Sequence, residues 1–242
     1  MQQISSAIAI REGQGGDKAS AGALATQKAA TRLLTRSARE NDKAVDVAIA
    51  GIVGRPLAIE VMVRHVDEFG PVENIRAVTR PRGITRQQID RIIQTLQLSL
   101  APAPHTTVSH AIETLLLKTP MGRGMADMDQ GKRAAIYMEG IAKYPADAAV
   151  AALSRSWRFF PSWAELEQAL DAYAHRRRYL LRTVSAWQPW SQADERAWLV
   201  KAIDSARFDS RYFTHSEPER AARAKELLER YTQALEKLGE SA

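Results

Sequence analysis

The strongest constraint on this chain is a repeated punctuation mark. At Thr85, Asp127, Ser162 and Ser216 a short polar residue stands three positions ahead of Gln88, Gln130, Glu165 and Glu219, and helix formers follow each time. At that spacing the first side chain accepts from a free backbone N–H of the opening turn, and the Glu or Gln reaches back to the cap. Strand signals are scarce. No clean period-two alternation stands out, and no Asn-Gly or Asp-Gly turn separates two apolar runs. The pattern predicts an all-α protein: a multi-helix bundle of about eight to ten helices with short capped turns and a disordered N-terminal tail.

Residues 1–25 form the expected tail, with no large apolar residue between Ile10 and Leu24 to offset the entropy of ordering. A first helical domain follows over 26–100. The run Val45, Val47, Ile49, Ile52 and Val53 reads as a helix that Gly54 and Pro56 interrupt. A further helix is expected over "LAIEVMVRHVDEF", ended by Gly70-Pro71, and a short one over "VENIRAV". After a turn at Pro81 and Gly83, Ile89, Ile92, Ile93 and Leu96 share one helical face. "APAPHTT", within 101–108, reads as a stiff extended linker. A second helical domain spans 109–190, with Ala134, Tyr137, Met138 and Ile141 as one buried stripe. Pro145 suits the first position of a helix running to Trp157, and Asp147 suits the positive end of its dipole. Residues 191–242 form a C-terminal helical extension, with Ala221, Ala224, Leu227, Leu228, Tyr231, Leu235 and Leu238 along one side.

Composition narrows the function classes. The chain has no cysteine, which removes disulfides, thiolate metal sites and a cysteine nucleophile and fits a reducing compartment. Its start lacks the basic-then-apolar order of a signal peptide, and no stretch approaches about 18 apolar residues, so a cytoplasmic location is expected. The net charge of +6 permits contact with nucleic acid and equally suits a solvated surface.

The aromatic residues Tyr144, Trp157, Phe159, Phe160 and Trp163 crowd around the turn at Pro161-Ser162 in a stretch otherwise rich in alanine. Rings that each bury about 150–250 Å² can lock the angles between short helices. A ring left partly exposed there, Phe159 or Trp163, serves equally as an anchor for a partner protein. Phe160 and Leu166 are placed to staple the entry of the following helix.

The order of this stretch, "KYP", "ADAAVAAL", a Trp, "FFPSWAEL" and a basic helix, resembles the phage replicative-helicase loader and inhibitor family and similar prophage replication proteins. The resemblance covers about residues 130 to 185 and rests on Tyr144, Pro145, Leu153, Phe160, Pro161, Ser162, Glu165 and Leu166. It implies a helical adaptor that binds a replicative helicase or an initiator in a bacterial host cell. Members known to us are short, with this segment near the N-terminus; here over a hundred residues precede it.

Two basic segments are candidates for nucleic acid. In "HRRRYLLR", His175, Arg178 and Arg182 share one helical face while Arg176 and Arg177 point elsewhere; the alternative is a solvated face suited to a helix C-terminus. In "RAVTRPRGITRQQIDRIIQTLQ", Arg82 and Arg86 belong to a helix–turn–helix-like segment over 71–97, whose second helix would present Arg86, Gln87 and Asp90.

Catalysis finds little support. His65, His105, His110, His175 and His215 have no metal-ligand spacing, and Asp127 and Asp129 in "DMDQGK" suit a helix cap better than a calcium loop. "PMGRGM" lacks the Lys-Ser/Thr of a P-loop. Any loading would therefore proceed by binding alone, without ATP or another cofactor. The expectation is a non-enzymatic replication adaptor. The alternatives are a DNA-binding regulator using 71–97 and an assembly protein joined through its C-terminal helix.

Overall fold

The computed structural model describes residues 18–66, 70–120 and 130–240. Among them lie nine helices and one two-stranded antiparallel sheet. In chain order they are α1 (Lys18–Leu34), α2 (Ala38–Val53), β1 (Ile59–Val66), β2 (Gly70–Val78), α3 (Arg86–Ser99), α4 (His105–Lys118), α5 (Gln130–Ile141), α6 (Ala146–Leu153), α7 (Trp163–Ser185), α8 (Gln192–Tyr212) and α9 (Pro218–Glu240). The all-α bundle is thus as expected. No helix among the described residues is long and apolar enough to cross a membrane.

The capping signatures work as read at two places. Thr85 with Gln88 and Ser162 with Glu165 form reciprocal boxes that open α3 and α7. Ser37 with Glu40 and Ser191 with Asp194 open α2 and α8 in the same way, and these were not anticipated. Gly54 closes α2 at φ 81°, a left-handed conformation that glycine adopts at no steric cost. Asp127 lies outside the described residues. Ser216 does not sit at the cap position, because α9 begins at Pro218, two residues later. A proline there forgoes an N–H that has no partner in a first turn.

Several expectations need correction. Where helices are expected over 57–69 and 72–78, residues 59–66 form β1 and residues 72–78 belong to β2, paired antiparallel with Ile59 opposite Val78 and Val61 opposite Ile75; residues 67–69 lie outside the described residues. Ile59, Val61 and Val63 alternate with Glu60 and Met62, and β-branched residues at that period suit a strand. Gly70 starts β2 rather than ending a helix. The turn then leads into α3, so residues 71–97 are strand–turn–helix, not helix–turn–helix. The expected tail also runs too far: α1 already begins at Lys18, in the alanine-rich "KASAGALA".

"APAP" is extended as read, yet it is tied down. Ala101 is buried, its carbonyl accepts from Ala146 N at 2.9 Å, and Pro102 bridges Pro145. Pro145 is consequently an extended N-cap residue and not the first residue of α6, which stops at Leu153. The helix that follows the extended stretch begins at His105.

Helix α7 is the spine. Its first half, through Leu166, Ala169, Leu170 and Ala174, enters a core with α4, α5, α6 and Phe160. Its second half, through Leu180 and Val184, enters another with Val45 and Ile49 of α2, Ile75 of β2, Ile89, Ile92 and Leu96 of α3, and Trp187. A small cluster of Ala30, Leu33, Ala101 and Ala146 seats α1 beside them. The α8–α9 hairpin buries Ala221 and Ala224 and sets Trp198 edge-on to Tyr231 at 5.3 Å. It joins the body through Arg80–Asp194 and Arg82–Glu195 pairs and through Trp190 N, which donates to Ile84 O at 2.9 Å.

Candidate functional site

The turn between α6 and α7 is built from the aromatic residues outward. Tyr137 of α5 is its hub: its hydroxyl donates to Pro161 O at 2.8 Å, and its ring lies 5.3 Å from Phe160 and 5.5 Å, edge-on, from Trp163. Trp163 packs against α5 where Gly140 has no side chain; a Cβ there would come within 2.1 Å of the indole. Trp157 Nε1 donates to Ala152 O at 3.0 Å, and Phe160 N donates to Pro120 O at 3.0 Å. These bonds tie the turn to α6 on one side and to Pro120 on the other.

The five ring residues singled out in the sequence therefore divide. Tyr144 and Phe160 are buried, and Trp157 and Trp163 are half-buried. Tyr144 is covered by the Arg178 guanidinium at 4.1 Å, and burial pushes its phenol above the ordinary range. Phe159 alone is open, at 47% exposure, with the Arg158 guanidinium 5.4 Å from its ring.

The basic residues are placed quite differently from a phosphate-binding row. Arg177 is completely buried: it pairs with Asp147 at 2.8 Å, approaches Asp42 at 2.9 Å and donates to Ser99 O. Arg176 pairs with Asp46 at 2.8 Å. Arg178 pairs with Asp171 and donates to Lys143 O, each at 2.9 Å. Arg82 pairs with Glu195 and lies over Trp198 at 3.6 Å; Arg86 pairs with Asp90 in its own helix at 3.1 Å. Arg182 is exposed, 5.3 Å from the Tyr179 ring.

The Arg177 cluster is the feature that sequence reading missed. Asp147 belongs to the first turn of α6, but it is buried, accepting from Arg177, from Asn41 Nδ2 at 3.0 Å and from Ala148 N. Asn41 also donates to Leu33 O at 2.9 Å, so one network joins α1, α2, α3, α6 and α7 where the two cores meet. Arg177 Nε faces Asp42 Oδ1 at ion-pair distance without hydrogen-bond geometry. Burial raises the Asp42 carboxyl from 3.8 to about 6, against the pull of Arg177 and Arg176. A signal was present: Leu170, Ala174, Arg177, Leu180 and Val184 recur at three- and four-residue spacing, so Arg177 lies on the apolar stripe.

Among the described residues no group of three His, Asp or Glu side chains is arranged to hold a metal ion. No family model, curated protein or solved structure matches this chain.

Proposed function

We propose that this chain is a non-enzymatic adaptor that docks a partner protein through the corner between α6 and α7, with Phe159 as the anchor. The observation that carries the reading is the contrast at that corner. Its other rings are drawn inward or hydrogen-bonded, and Phe159 is held open on a turn fixed on both sides. A preorganised ring loses little freedom on binding, so more of its burial appears as affinity. The sequence of the corner resembles phage and prophage replication adaptors, which makes a replicative helicase or an initiator the partner we assign, in the bacterial cytoplasm.

The test is affinity capture from a bacterial host lysate with the full chain and with Phe159→Ala, both checked for folding by circular dichroism. Capture of a helicase or initiator by the wild type, lost in the folded variant, supports the assignment. Equal capture by both proteins, or capture of neither replication protein, overturns it.

A further inference from the structure

We propose that the groove bounded by α2, β1, α6 and α7 docks an acidic, amphipathic helical segment of a partner protein. The groove encloses about 760 Å³, room for several side chains. Val63 of β1, Val150 and Ala151 of α6, and Ala172 and Tyr173 of α7 give it an apolar floor. Val63 is 53% exposed, a large apolar side chain left uncovered.

The rim supplies the charge. Arg36, Arg39 and Lys43 line it and are exposed. Two of the acids in the groove are paired, Asp147 with Arg177 and Asp46 with Arg176, and Asp42 stands at ion-pair distance from the same Arg177. Glu40, close enough to feel Arg36 and Lys43, is turned to the Ser37 cap, which holds its carboxyl below the ordinary value. With Arg176 and Arg177 the groove and its rim hold five cations against the four carboxylates Glu40, Asp42, Asp46 and Asp147, and the three that take no part in the Asp pairs, Arg36, Arg39 and Lys43, stand on the exposed rim beside the apolar trough. A segment that complements it carries aliphatic residues on one helical face and carboxylates along its edges. The floor is aliphatic apart from Tyr173 and offers no row of rings on which nucleic-acid bases would stack. This surface is separate from Phe159 and stands whether or not that corner binds.

The probe is a fluorescein-labelled helical peptide of about 15 residues with Leu on one face and Glu elsewhere. Controls are the same peptide with Lys for Glu and one of scrambled order. Anisotropy with the full chain is expected to show binding of the acidic peptide that weakens with salt. Val63→Asp, and separately Arg36→Gln/Arg39→Gln/Lys43→Gln, should each weaken it at least about tenfold without lowering the melting temperature. The second variant changes only exposed side chains, so it keeps the test decisive if the first unfolds. Equal binding of all three peptides, no binding, or insensitivity to the rim variant overturns the proposal. So does a single-stranded oligonucleotide that binds the same residues more tightly, or a sedimenting dimer that Val63→Asp dissolves.

Discussion

Arg177 and Asp147 meet at 2.8 Å with neither side chain exposed to solvent. The pair stands where the two halves of α7 enter different cores, so it couples them. Removing one member of a buried pair costs about 3–5 kcal/mol, because the other is left charged in a dry place. Arg177→Ala is therefore expected to lower the unfolding free energy by about that amount in urea titration. A loss below about 1 kcal/mol would mean that the cluster is better hydrated than its burial implies.

Asp42 predicts the opposite sign. Its folded carboxyl lies at about 6, above the ordinary 3.8, because burial disfavours the charge. Between those values the folded protein holds a proton that the unfolded chain releases, so this group's contribution to stability falls as pH rises through about 4 to 6. The displacement corresponds to at most about 3 kcal/mol. Asp42→Asn removes the titration while Asp147 still balances Arg177. The variant is expected to match the wild type near pH ~4 and to exceed it by about 1–3 kcal/mol near pH ~8. A variant less stable than wild type at the higher pH would show that Arg177 needs both acids.

Gly140 tests the packing of the corner. A methyl group there would occupy the space of the Trp163 indole, forcing the ring out or the helices apart. Overpacking of this kind costs about 1–3 kcal/mol. The expected loss for Gly140→Ala should shrink when it is made in a Trp163→Ala background, a coupling that a double-mutant cycle reads directly. Equal losses in both backgrounds would place the effect in helix backbone and not in the ring.

Ser162 gives a local measure. Its side chain accepts from Glu165 N while Glu165 reaches back to Ser162 N at 2.7 Å. Ser162→Ala is expected to cost about 1 kcal/mol in thermal unfolding, as lost N-caps do. No change would mean that α7 is held by packing alone.

How much of this was legible depends on how far apart the deciding residues lie. The boxes at Thr85 and Ser162 were readable because their partners are three residues away. The β1–β2 hairpin was not, since Ile59, Val61 and Val63 sit among helix formers and the pairing with 70–78 settles the matter. In the run Arg176–Arg178 one residue goes into the core and its neighbours do not; only the spacing from Ala174 to Leu180 separates them. Asp147 looked like a dipole complement because its real partner, Arg177, is 30 residues on. At the corner the rings were found in the sequence, but which one stays open was decided by Tyr137, Gly140 and Pro120.

The central claim is that Phe159 meets the partner while the rest of the corner holds it in place. Calorimetric titration of the purified replicative helicase, and of the initiator, into wild type and Phe159→Ala tests it most directly, with the melting temperature of each recorded. The account predicts unchanged melting and at least about a tenfold weaker affinity for the variant. Undiminished affinity, or no binding of either protein to the wild type, would contradict it.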